Sequence, residues 1–158
     1  SQAKKQKRKK PNDNRKNDKK TGGTIMRRLV IASHERMAEG VKNTLDFITN
    51  SSFSVYAVNA YTTQIPLENQ LQSVFEEFET EDEIVILTDM LTGSVNQACI
   101  PYRNDHVFLM TGFNIPAALE ILLYPQDKKL SEKELLRIVE TARAQLQLVV
   151  STEELEDE

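Results

Sequence analysis

The sequence predicts an α/β protein, a doubly wound and mostly parallel sheet with helices on both faces. Short apolar runs at residues 28–32, 53–58, 84–87 and 107–110 alternate with longer segments whose apolar residues recur at helical spacing. That alternation is the pattern of successive βαβ units. The run Ile84-Val85-Ile86-Leu87 has no polar member, as expected of a strand covered on both faces. A third observation is that ionisable residues stand just beyond two of these runs, His34 after the first and Asp89 after the third. In open parallel sheets the carboxyl ends of strands are where ligands bind.

Each element follows from local pattern. The first strand is expected at 28–32 and the first helix at 35–49, where Met37, Val41, Leu45 and Ile48 form one stripe. After the second strand and a loop at 61–66, Leu67, Leu71, Val74, Phe75 and Phe78 mark a second amphipathic helix. The third strand leads into a loop at 90–94 and a short helix at 95–100 that Pro101 helps to stop. Beyond the fourth strand, Pro116 sits where a helix tolerates a missing N–H, with Leu119, Leu122 and Leu123 on the apolar face. Ser131 and Glu134 make a capping-box pattern for the last helix, whose buried stripe is Leu135, Ile138, Val139, Ala142 and Leu146. Leu148-Val149-Val150 is expected to add a short final strand.

Charge divides the chain. Residues 1–25 hold ten Lys and Arg against two Asp, a net of +8, and residues 26–158 hold ten against twenty-two, a net of −12. The first segment has one Ile, no aromatic residue and three Pro or Gly breakers, so it cannot bury enough surface to fold. It is expected to be a disordered basic tail or a leader, the latter fitting Met26 directly before the first strand. Its lysines and arginines would also suit a phosphate-binding arm on nucleic acid or a membrane surface. Residues 26–150 form the expected folded domain, and 151–158 an acidic, solvated tail. Cys99 is the only cysteine, which excludes an intrachain disulfide, argues against a cysteine-based zinc site and suits a reducing compartment. No apolar stretch approaches the roughly 20 residues that cross a bilayer. The expected location is the cytoplasm.

The central chemical candidate is His34, at the junction of the first strand and first helix. If the first and third strands are adjacent, His34 and Asp89 meet at one edge of the sheet. An aspartate that accepts one imidazole N–H fixes the tautomer and leaves the other nitrogen nucleophilic, the arrangement needed to carry a phosphoryl group. Thr92-Gly93-Ser94 adds a glycine permitting close backbone approach and a hydroxyl able to donate to phosphoryl oxygen, although Ser94 is equally suited to cap the helix at Val95. Glu35, Arg36, Gly112 and Asn114 are candidate walls of the same crevice. His106 precedes the fourth strand and, if that strand is parallel, is expected at the opposite edge in a surface or structural role. No nucleotide phosphate loop or dinucleotide fingerprint is present, so bound ATP is not the expected phosphoryl donor.

Ile-Ala-Ser-His-Glu-Arg-Met-Ala-Glu-Gly at residues 31–40, Leu-Thr-Asp-Met-Leu-Thr-Gly-Ser-Val-Asn-Gln at 87–97 and Thr-Gly-Phe-Asn-Ile-Pro at 111–116 occur in the order seen in one family. Over about residues 26–150 the chain resembles the enzyme IIA proteins of the mannose/fructose/sorbose family of the phosphoenolpyruvate-dependent sugar phosphotransferase system. The resemblance implies that His34 is phosphorylated by the histidine phosphocarrier protein HPr and passes the group to an enzyme IIB. It also implies that Asp89 hydrogen-bonds the histidine, that Ser94 lies beside the phosphoryl group, and that a homodimer forms in which a C-terminal strand is exchanged. Contact with a membrane would be indirect, through the transporter, and the resemblance implies no metal or organic cofactor. The sequence departs from the family at Glu35, where glycine is usual, and at Thr92-Gly93, where paired glycines are usual. Two other roles belong to similar proteins: the phosphotransfer subunit of a dihydroxyacetone kinase, whose loop after the third strand is usually shorter, and a regulatory IIA-like module within a longer regulator.

Overall fold

A computed structural model describes residues 26–151, and the expectations for residues 1–25 and for the acidic end at 152–158 lie outside the described residues. The elements are β1 Arg27–His34, α1 Met37–Thr49, β2 Ser54–Ala60, α2 Leu67–Phe75, β3 Glu83–Thr88, α3 Ser94–Cys99, β4 Val107–Thr111, α4 Ile115–Leu123 and α5 Glu132–Arg143, with a 3-10 turn at Ile100–Tyr102. The strands form one sheet in the order β2-β1-β3-β4, and every pairing is parallel. After β2 the chain crosses back over β1 to place β3 on its other side. The crevice at the carboxyl ends of β1 and β3 is therefore the point where strand order reverses, the usual ligand site of such sheets.

The pleat of the two central strands distributes the core. Leu29 and Ile31 of β1, with Val85 and Leu87 of β3, face α1, α4 and α5. Val30 and Ala32, with Ile84 and Ile86, face α2 and α3. Both faces are covered, which is why the apolar runs of β1 and β3 are continuous rather than alternating. Among the described residues no helix is long and apolar enough to cross a membrane.

At the amino ends of the same strands, Arg27 and Glu83 form a buried ion pair at 2.8 Å. Arg27 also donates to the carbonyls of Tyr124 and Lys128 at 2.7 and 2.9 Å, and the second Glu83 oxygen accepts the Leu130 N–H at 2.8 Å. The α4–α5 connection is thereby fastened to the base of the sheet. His106 lies at this end too, its Nδ1 3.0 Å from the Asp82 carbonyl, as expected for a structural histidine.

Several expected boundaries move. α1 begins at Met37 rather than at residue 35, because Glu35 has φ of +53° and cannot be a helical residue. α2 stops at Phe75; Phe78 lies beyond it and packs edge-on against Tyr56 and Phe75. α5 stops at Arg143, and Leu146, assigned to its buried stripe, is exposed. The expected strand at 148–150 is absent from the sheet: Leu148, Val149 and Val150 are exposed and join no ladder. A strand requires a neighbouring backbone, and this segment pairs with neither edge strand of its own chain.

Candidate active site

The site is built where β1 outruns β3. The β1–β3 ladder ends at Ala32 and Thr88, so His34 and Asp89 both project past the last rung. Asp89 Oδ2 accepts the His34 backbone N–H at 2.8 Å and lies 2.8 Å from His34 Nδ1, while Asp89 Oδ1 accepts the Met90 N–H at 3.0 Å. Burial pushes the Asp89 carboxyl up, but the His34 N–H, the imidazole and the Met90 N–H outweigh it and hold it below its ordinary 3.8. The carboxylate is therefore ionised near neutrality and can only accept. Nδ1 must then carry the proton, and Nε2 presents its lone pair.

Residues next to the histidine set its approach. Ser33 Oγ accepts the Ala38 N–H at 2.7 Å, and Asn59 Oδ1 accepts the Glu39 N–H at 3.1 Å, so side chains hold the first turn of α1. These two amides are committed within the protein and do not act as the open anion cradle that the strand-to-helix junction suggests. Glu35 is exposed, and its N–H donates to the Ala60 carbonyl at 3.0 Å, continuing the β1–β2 ladder by one bond. Arg36 occupies the N-cap position of α1 and is exposed. The left-handed φ of Glu35 supplies a physical reason for glycine at this position, since it disfavours any side chain.

The loop after β3 closes over the other side of the ring. A Cβ on Gly93 would come within 3.1 Å of His34 Cε1 and 3.3 Å of Met90 Cγ, so the close approach depends on the missing side chain. The buried Asn96 holds this loop, accepting from Thr88 Oγ1 at 2.8 Å and donating to the Leu91 carbonyl at 3.2 Å. Ser94 does not cap the helix from outside. Gly93 is the N-cap residue, Ser94 is the first residue of α3, and its Oγ lies 2.5 Å from the Tyr61 hydroxyl. Thr92 is exposed on the loop.

Gly112 and Asn114 are engaged elsewhere. Gly112, with φ of +66°, donates its N–H to the Thr88 carbonyl. Asn114 caps α4 by accepting the Ala117 N–H at 3.0 Å and donates to the Ala142 carbonyl at 2.7 Å, tying α4 to α5. With Leu91, Val139 and Leu146 they line an open cavity of about 620 Å³ that His34 does not line.

Sequence reasoning missed Ser33, Asn59, Tyr61 and Asn96. Polar residues at the ends of apolar strands were the available signal for Ser33 and Asn59. Cys99 is buried beneath the site, and burial, followed by the charge of Asp89, pushes its thiol up to about 11, which keeps it protonated. Among the described residues no group of three or more His, Cys, Asp or Glu could hold a metal ion.

Fold and site together define an open α/β protein that presents an aspartate-oriented histidine at the carboxyl edge of its sheet. The sequence model of the family described as PTS system fructose IIA component matches residues 28–140. A Klebsiella pneumoniae protein described as a phosphoenolpyruvate-dependent sugar phosphotransferase system permease shares 26% identity, with 80% of this chain and 92% of that chain covered and a TM-score of 0.71. The PTS IIA protein associated with the fucose utilization operon of Streptococcus pneumoniae is also 26% identical, with 81% and 96% covered and a TM-score of 0.66. The mannose/sorbose-specific IIA subunit of Enterococcus faecalis shares the fold at 16% identity, with 79% and 96% covered and a TM-score of 0.64. The chain belongs to the enzyme IIA family of the mannose/fructose/sorbose type in the sugar phosphotransferase system.

Proposed function

We propose that the chain is a cytoplasmic phosphocarrier in which His34 Nε2 accepts a phosphoryl group from phospho-HPr and delivers it to an enzyme IIB during sugar uptake. The observation that carries this reading is the hydrogen bond between His34 Nδ1 and an ionised Asp89, which leaves Nε2 as the nucleophile. The Nε2 lone pair attacks phosphorus, the P–N bond to the donor imidazole breaks, and its electron pair returns to that ring. The proton stays on Nδ1. The His34 ring gains positive charge as the new P–N bond forms, and the Asp89 carboxylate stabilises it. Such a transfer depends on positioning and electrostatics and requires neither a separate base nor a nucleotide.

The same reading includes a homodimer with exchanged C-terminal strands. Support comes from β4, an open edge of the sheet, and from the nearby groove of about 450 Å³ lined by Val85, Val107, Leu109, Leu135 and Val139. The exposed Leu148, Val149 and Val150 are apolar residues in want of such a partner. Deleting residues 147–158 is expected to halve the molar mass in solution, and an unchanged dimer would rule out exchange as its basis.

The test of the carrier reading is intact mass after incubation with phosphoenolpyruvate, enzyme I and HPr, kept at neutral or alkaline pH because phosphohistidine is acid-labile. Wild type should gain one acid-labile phosphoryl group that moves on when enzyme IIB is added, and His34→Ala should gain none. Unlabelled wild type with active upstream proteins would refute the relay.

A further inference from the structure

The last rung between β1 and β2 pairs His34 with Ala60, and the residue after each strand, Glu35 and Tyr61, has a left-handed φ, +53° and +67°. At Tyr61 this turn is disfavoured for a bulky side chain. Its consequence is that the ring leaves the end of β2 and crosses the site. The Tyr61 and His34 ring centroids are 5.6 Å apart, with planes inclined at 48°. Beyond the imidazole the phenolic oxygen reaches Ser94 Oγ at 2.5 Å, joining the end of β2 to the first residue of α3. Although 55% of Tyr61 is exposed, it is thus anchored at both ends.

We infer that Tyr61 is a positioning residue for phosphoryl transfer, its ring bracing the His34 imidazole and its hydroxyl orienting Ser94 toward a phosphoryl oxygen on Nε2. The inference rests on the reading of His34 as phosphoryl acceptor and adds a residue to that reading. Two hydroxyls in contact share one proton between them and keep a second to donate outward. A phenol is the better donor and an alkyl hydroxyl the better acceptor, so Tyr61 donates and Ser94 keeps its own proton for the phosphoryl group. Hydrogen bonds in a chain polarise one another, which makes the Ser94 O–H a stronger donor than it would be alone. Holding it in place before the reaction also removes the reorganisation that a freely rotating serine would need.

A tyrosine that merely fastened the loop after β2 would affect folding but would not couple to Ser94 in the chemistry. Potassium phosphoramidate separates these roles without any protein donor: Nε2 bonds to phosphorus, the P–N bond breaks and ammonia leaves with the bonding pair. Labelling rate at His34 would be measured for wild type, Tyr61→Phe, Ser94→Ala and the double variant, with thermal midpoints as the control for folding. Tyr61→Phe keeps the ring and should slow labelling about 3- to 10-fold, the scale of one lost neutral hydrogen bond, with its midpoint little changed. In the Ser94→Ala background the same substitution should change the rate less than about 2-fold, because its partner is gone. Tyr61→Ala, which removes the brace as well, should be slower than Tyr61→Phe.

Wild-type labelling rates in Tyr61→Phe, or an equal slowing with and without Ser94, would overturn the inference. Wild type labelled at His34 by phosphoramidate but not by phospho-HPr would refute the relay and leave the Tyr61 result standing. Wild type labelled at His34 by neither reagent would overturn both.

Discussion

β1 and β3 join a cationic or ionisable side chain to a carboxylate at each end of the sheet. Arg27 meets Glu83 at the amino end with 2% and 3% of the side chains exposed, and His34 meets Asp89 at the carboxyl end with 35% and 12% exposed. Both contacts measure 2.8 Å, so distance does not distinguish them. Saturation does. Both Glu83 oxygens and the Arg27 guanidinium have protein partners that lock α4 and α5 to the sheet. At the other end the carboxylate is as fully engaged, yet the imidazole has committed only Nδ1, and one nitrogen remains for an incoming group. A buried pair with every polar atom satisfied fixes architecture, and a pair with one unsatisfied atom at a solvent edge can do chemistry.

The largest effect in this comparison should come from breaking the closed end. Glu83→Ala leaves a buried guanidinium without its counter-charge and should cost about 3–5 kcal/mol in urea unfolding, while the molecules that remain folded still label at His34. Loss of labelling in folded protein would show that the two ends are coupled. Asp89→Asn attacks the open end instead. It should slow labelling by about 100-fold, because an amide can hold the imidazole in the wrong tautomer and no longer stabilises its charge. The pH dependence has a defined sign. Asp89 has a folded pKa below its ordinary 3.8, so its stabilisation is complete above that value and is lost as pH falls through the lowered one. The stability difference between wild type and Asp89→Asn should therefore shrink as pH falls below about 4.

Smaller changes sharpen the description of the open end. Gly93→Ala brings a methyl carbon within 3.1 Å of His34 Cε1, and a ring held by Asp89 cannot retreat freely. Labelling should fall about 10-fold with little change in urea midpoint; an unaffected rate would mean that the loop, not the ring, gives way. Glu35→Gly relieves a left-handed residue and should raise stability by less than about 1 kcal/mol. Labelling should persist and become modestly faster, since a carboxylate no longer repels the phosphoryl dianion, and that gain should diminish with added salt.

Much of this organisation was legible in the chain because periodicity reports burial. The continuous apolar runs foretold central strands with both faces covered, and two strand-terminal residues, His34 and Asp89, then had to meet if those strands were neighbours. Ser131 was legible as a helix cap and does accept the Glu134 N–H, although the Glu134 carboxylate turns to Arg137 instead of completing the box. What escaped was conformation without period. The left-handed turn at Glu35 has no glycine to announce it, so helical spacing alone predicts a start two residues too early. Tyr61 lies in a loop, where its aromatic ring contributes to no stripe, and its contact with Ser94 spans 33 residues. Leu148, Val149 and Val150 have strand composition, but pairing depends on another backbone and not on composition alone.

The central claim is that Asp89 reserves Nδ1 for the proton and leaves Nε2 for phosphorus. Long-range proton–nitrogen NMR spectra of the 15N-labelled, phosphorylated protein at alkaline pH read the two ring nitrogens of His34 separately. The account predicts phosphorus on Nε2, with Nδ1 protonated and hydrogen-bonded. Phosphorus on Nδ1, or on a residue other than His34, would contradict it.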